Sequence, residues 1–199
     1  MKRNWTPDRG PSSVWLGMLL VLLAGCAATS VLPQQYSPPA QVQSYKLSLV
    51  TAPGQTEDSL LIVQPEAGGA SRWIQTNALG APLARLSLRD GQWTTDGFAP
   101  PNARARQLFE AIIAARMPQA QWHQAYPGIN INKTDGSNGP VYAFSRQGQP
   151  LWSLVLPPVP PEPGAQGARS AHKPAPAPVT GITLPDHSQW NLTPLSATP

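Results

Sequence analysis

A single cysteine stands among 199 residues, so the chain forms no internal disulfide. It also assembles no cysteine-based zinc site, which needs several ligands at set spacings. Histidine is scarce: His123, His172 and His187 are scattered, without a His-x-x-x-His or Glu-His cluster. Charged residues make up 12% of the chain, about half the usual share of a soluble domain. The formal net charge is +4, but Lys2, Arg3 and Arg9 sit together at the start against Asp8 alone, and the remainder nearly balances. That charge is too small and too dispersed to track a phosphate backbone, which excludes nucleic acid as a partner. The Gly-x-Ser-x-Gly elbow, the P-loop and Gly-x-Gly-x-x-Gly are all missing. Glu57 and Asp58, in Gly-Gln-Thr-Glu-Asp-Ser, read as a solvated loop, and His123 beside Trp122 as a surface or packing residue. With no catalytic constellation, metal ligands or cofactor motif, the chain is read as non-enzymatic.

What is abundant is proline, with 25 residues, eleven of them in the last 43. The distribution implies a globular middle with proline-rich flanks. At the N-terminus, basic residues precede Val14 to Gly25, an unbroken apolar run. As a helix it would rise only about 18 Å, against a hydrocarbon core of about 30 Å, so it reads as a secretory signal peptide over 1–25 rather than a membrane span. The run ends Leu23-Ala24-Gly25-Cys26, which resembles the bacterial lipobox at every position. The resemblance implies cleavage before Cys26, a diacylglycerol on its thiol and an acyl chain such as palmitate on its new amine. Small side chains at 24 and 25 suit the peptidase, and only a thiol forms the thioether. Several acyl chains, at about 0.8 kcal/mol per buried methylene, make a permanent anchor. By resemblance to Gram-negative lipoproteins, Ala27, a residue other than Asp after the cysteine, implies the outer membrane, with the mature chain on its periplasmic face.

Residues 26–40 read as a polar tether with Pro33, Pro38 and Pro39. A domain over 41–156 follows. Tyr45, Leu47 and Leu49 alternate with polar residues in a half-buried strand, and further strands are expected at 59–63, 72–76, 83–88 and 92–95. Asn77-Ala78-Leu79-Gly80 reads as a turn, and Asp90-Gly91 is the strongest hairpin signal. After Pro100-Pro101 the period changes. Asn102 caps a helix from 103 to 117, whose apolar stripe is Ala105, Leu108, Phe109, Ile112 and Ile113. Arg106 and Glu110 are placed to pair along its side, and Pro118 stops it. Strands are expected again at 129–132, 141–145 and 151–156, the last two around Gln147-Gly148. Residues 157–180 read as a proline-rich, polyproline-like disordered segment, and 181–199 as a terminal hairpin or tail. The predicted fold class is mainly β with helices (α+β), an antiparallel sheet carrying one good helix.

Three stretches in order carry a resemblance to the lipoprotein-insertase family LolB and its uncharacterised lipoprotein relatives that accompany aryl-polyene lipid pathways. They are Trp73-Ile74-Gln75-Thr76-Asn77-Ala78-Leu79-Gly80 with the strand after it, the helix with Met117-Pro118, and Tyr142-Ala143-Phe144-Ser145-Arg146-Gln147-Gly148 with Trp152. The family's first helix and its Trp…Gly-Arg opening strand have no match here, which favours the relatives. The resemblance implies a half-open β-barrel with a lid helix, whose concave apolar face accepts acyl chains. It also implies that Leu79, at the position of the family's loop leucine, touches the membrane. Trp73, Trp93, Leu108, Ile112, Trp122 and Trp152 are the candidate cavity-lining residues, since acyl chains are held by area rather than by hydrogen bonds. The function so implied is transfer or insertion of a lipidated cargo, a lipoprotein or aryl-polyene-type lipid, received from a periplasmic carrier, into the outer membrane. The alternative is a scaffolding lipoprotein that grips an envelope complex through its proline-rich segment.

Overall fold

A computed structural model of the protein describes residues 30–97, 102–157 and 179–195. Cys26, the signal segment, the start of the expected tether and the body of the proline-rich segment lie outside the described residues.

Ten strands form one antiparallel sheet among the described residues. They are β1 (Gln43–Ala52), β2 (Gln55–Glu66), β3 (Ala70–Asn77), β4 (Pro82–Arg89), β5 (Gln92–Thr95), β6 (Asn130–Gly136), β7 (Gly139–Arg146), β8 (Gln149–Val155), β9 (Thr180–Thr183) and β10 (Gln189–Leu195). Two helices, α1 (Ala103–Arg116) and the short α2 (Trp122–Ala125), lie between β5 and β6. Alternation sets the buried face: Tyr45 and Leu47 of β1, Leu61 and Val63 of β2, Trp73 of β3 and Leu86 and Leu88 of β4 all point into one core. Hairpins set the register. Asp90 and Gly91 both take positive φ, as do Gln147 and Gly148, and such two-residue turns match the twist of the strands they join.

Strand order is β5-β4-β3-β2-β1-β10-β9-β8-β7-β6. The expected terminal hairpin, β9 with β10, therefore sits in the middle of the sheet. Leu47 faces Leu192 and Leu49 faces Trp190 across β1 and β10, while Leu154 faces Ile182 across β8 and β9. The sheet is open, with β5 and β6 as its two edges.

Its curvature follows from α1. Phe109 stacks near Trp93 of β5, with ring centroids 6.1 Å apart, while Gln107 donates from Nε2 to the Leu151 carbonyl of β8 at 3.3 Å. Seven strand spacings separate β5 from β8, about 34 Å if the sheet were flat, whereas a helix with its side chains is about 10–12 Å across. One helix reaches both only because the sheet curls around it. Every residue from Leu108 to Ala114 is buried, so α1 is enclosed on all sides over this stretch, while its ends at Arg104 and Arg116 reach solvent.

Two expectations are corrected. Glu57 and Asp58 are in β2, not a loop: Asp58 accepts from Ser48 Oγ at 2.6 Å and pairs with Lys46 Nζ at 2.9 Å, so cross-strand polar contacts extend the ladder past its apolar part. Within 26–40, read as a polar tether, Ser30 to Tyr36 are docked on the domain, with Val31 only 3% exposed.

Leu192 is buried where the two halves of the sheet meet. Leu192→Ala is expected to cost about 2–5 kcal/mol in urea unfolding, and Leu79→Ala, at an exposed tip, within about 0.5 kcal/mol. Equal losses at the two positions would contradict this placement of the core.

Candidate functional site

The enclosed helix divides the concave face into two aromatic groups. On one side Phe109 meets Trp73 at 5.3 Å and Trp93 at 6.1 Å, and the two indoles meet edge-on at 5.7 Å. On the other, Phe144 meets Trp122 at 5.1 Å and Trp152 at 5.4 Å, with Tyr126 and Tyr142 completing the group. Pairs at such spacings are worth about 0.5–1.5 kcal/mol beyond their buried area. The structure thus brings Trp73 and Trp93 together, and Trp122 and Trp152 together. Leu108 and Ile112 lie between the groups in the closed core.

Clefts of about 230, 250 and 430 Å³ open beside α1, and one of about 420 Å³ opens beside α2, β6 and β7. Trp73 lines one with Tyr36, Ile113 and Met117. Trp93 lines a second with Leu86, Trp122 a third with His123 and Ile131, and Trp152 a fourth with Val31 and Glu110. All four are open rather than sealed; those beside Trp93 and Trp122 reach the size of small-ligand sites, and the two beside Trp73 and Trp152 are smaller.

Glu110 is the residue that periodicity misplaced. It is expected on the side of the helix with Arg106, but it is only 4% exposed. The reason is the docked segment ahead of β1, which covers that side of α1. The carboxylate accepts from Ser30 Oγ at 2.5 Å, from the Val31 backbone N–H at 3.1 Å and from Trp93 Nε1 at 3.1 Å. Burial pushes its pKa above the ordinary value, and the bonds from Ser30 and Val31, the charge of Arg106 and the bond from Trp93 oppose that shift without cancelling it. Burial, with the charge of Glu110 second, also drives the Tyr126 phenol upward. The Tyr126 hydroxyl and Trp152 Nε1 are buried with no hydrogen-bond partner among the described residues. The one signal for Glu110 in the sequence is a lone acid within Leu-Phe-Glu-Ala-Ile-Ile, and nothing there points to Ser30.

Leu79 sits at the far tip of the β3–β4 turn and is 93% exposed. The turn itself is tightly held. Asn77 Oδ1 accepts from the backbone N–H of Leu79 at 3.0 Å and of Ala81 at 2.9 Å, and Gly80 supplies a φ of 81°. The backbone is pinned while the leucine projects into solvent, with Leu83 also exposed close by in sequence. Among the described residues, no group of three or more His, Cys, Asp or Glu is placed to hold a metal ion. No described helix is long and apolar enough to cross a membrane.

The chain belongs to the protein family described as "Protein of unknown function (DUF3261)", whose profile matches residues 43–168. The match begins at β1 and passes the end of β8, so the docked 30–36 segment and the β9–β10 hairpin fall outside it. No curated protein matches the chain.

Because the folded state raises the pKa of Glu110, its contribution to stability is full below the ordinary value of 4.5 and is lost as pH rises through the folded value. The wild type is therefore expected to gain stability relative to Glu110→Gln as pH falls from about 7 towards that value. Urea midpoints of both proteins across the range check it. Groups shifted the other way, such as Asp58, are common to both and drop out of the comparison. A difference that does not change with pH would contradict the burial of this carboxylate.

Proposed function

We propose that this member of the family is an outer-membrane lipoprotein, anchored through acyl chains on Cys26 and facing the periplasm. In this reading its LolB-like half-open barrel binds acyl chains and helps pass a lipidated cargo from a periplasmic carrier into the membrane. The observation that carries the reading is a rigid turn projecting one fully exposed leucine from a sheet curled around an aromatic and aliphatic interior.

The chemistry supports it in two ways. An exposed leucine gives up about 1.5–3 kcal/mol of burial, which a bilayer's acyl region returns. A pinned turn loses little conformational freedom on inserting. Clefts bordered by Trp73, Trp93 and Trp152 beside α1 offer indole and aliphatic area, which suits chains that differ in length, with Arg106, Glu110 and Arg116 also in their walls. Leu79 acts at the membrane surface and Trp73, Trp93 and Trp152 at the openings, while Leu108 and Ile112 pack in the closed core and line none of these clefts.

The anchor is tested by metabolic labelling with an alkyne analogue of palmitate. The full chain is expected to take up label and fractionate with the outer membrane, and Cys26→Ala, left without any thiol, to take up none. An unlabelled wild type would contradict the anchor.

Transfer is tested with the processed chain carrying Cys26→Ser and a fluorescent tripalmitoyl-cysteinyl peptide, delivered to phosphatidylethanolamine–phosphatidylglycerol vesicles. Leu79→Glu is expected to slow transfer about tenfold or more, since about 1.4 kcal/mol corresponds to a factor of ten, with no change in unfolding midpoint. An unchanged rate would overturn the role of Leu79, and no transfer by the wild type would overturn the reading itself.

A further inference from the structure

The segment from Ser30 to Tyr36 has neither helix nor strand, yet it is laid across α1 as part of the core. It is fastened at three places. At its start Ser30 Oγ and the Val31 N–H bond the Glu110 carboxylate. In its middle the Gln34 N–H donates to the Ala125 carbonyl at the end of α2, at 2.8 Å. At its end the Tyr36 hydroxyl and Ser71 Oγ of β3 are 2.7 Å apart. Between these points Val31 is buried and Leu32 and Tyr36 pack against the same apolar cluster as α1. The segment therefore bridges the helix and the wall of the sheet. It borders two of the four clefts, with Pro33 and Tyr36 beside Trp73 and Ile113, and Val31 beside Glu110 and Trp152.

We infer that 30–36 is a strap over the proposed acyl-binding groove, and that an acyl chain enters by displacing it. The inference rests on the acyl-binding reading above and adds its regulation. The strap is suited to leave. It belongs to no ladder, so its release breaks only its own fastenings and no β-pairing, which marks a segment of low local stability. Its main anchor is a buried carboxylate that is costly to keep from water. An acyl chain is suited to replace it, because a few methylenes cover the apolar surface that Val31 covers, and the indoles of Trp73 and Trp152 beside the two clefts accept either occupant. On loading, the strap would then move while the sheet stays as it is.

Two mild variants test this. Ser30→Ala and Tyr36→Phe each remove one hydroxyl fastening and nothing from the sheet. In the processed Cys26→Ser chain, the tripalmitoyl-cysteinyl peptide is expected to bind at least about threefold more tightly to either variant than to the parent. Hydrogen exchange supplies the second readout. On loading, the Val31 and Gln34 amides are expected to exchange at least about tenfold faster, while those of Leu61 and Val63 in β2 keep their rates. Tight binding with Val31 and Gln34 still protected, and with equal affinity in the variants, would overturn the strap and leave acyl binding standing. Failure of parent and variants alike to bind the peptide would overturn the acyl-binding reading and the strap together.

Discussion

The ladder between β1 and β10 is the constraint on which the architecture depends. It pairs Ser44 with Leu195 through Leu49 with Trp190, joining the first strand of the sheet to the last. On one side, β1 to β5 form a run of consecutive hairpins, and on the other so do β6 to β10 apart from the long connection before β9. Each half alone would expose a long edge, which invites pairing with other chains. Joined, they make one sheet wide enough to curl, and the curl encloses α1. Because this pairing links residues far apart in sequence, it carries a large loop-closure cost and is recovered only when the core forms around it.

Enclosure decides what the helix can carry. An amphipathic surface helix needs one apolar stripe, but from Leu108 to Ala114 every side of α1 is covered. Ala111 and Ala114 fit because they are small, and Glu110 fits because Ser30, Val31 and Trp93 complete its hydrogen bonds. A buried carboxylate adds little net stability, and this one has its hydrogen-bond partners set on the segment ahead of β1 and on β5. It holds the segment ahead of β1 against the helix, beside the clefts bordered by Trp73 and Trp152. The same feature thus links the route of the chain out of the N-terminal segment to the state of the concave face.

Much of the local structure was legible. Alternation in Tyr45-Lys46-Leu47 marks an inward and an outward face, Asp90-Gly91 and Gln147-Gly148 name their turns, and Asn102 and Pro118 bracket the helix within a residue or two of its ends. What escaped was non-local. Nothing in Gln189–Leu195 says that it pairs with β1, since a strand's partner is chosen by the whole sheet. Glu57 and Asp58 look like loop residues until Lys46 and Ser48 stand opposite them. Trp73, Trp93, Trp122 and Trp152 announce burial by size and alternation, but not that they sort into two groups on either side of one helix. Glu110 and the docking of Val31 are two halves of one contact between residues 79 positions apart, and neither is readable without the other. The exposed Leu79 was legible as a turn residue, and its full exposure needed the Asn77 bonds that pin the loop outward.

Whether the concave face takes an acyl chain is read from a titration followed by nuclear magnetic resonance. With an isotope-labelled processed chain carrying Cys26→Ser and an unlabelled tripalmitoyl-cysteinyl peptide, saturable shifts are expected at the Trp93 and Trp152 indole N–H groups, the Val31 amide and the Ile113 methyls. All of these border the clefts around α1 or the residues that cover it. Shifts confined to Leu79 and Leu83, or none at all, would contradict acyl binding on that face and leave an apolar interior filled by the protein's own side chains.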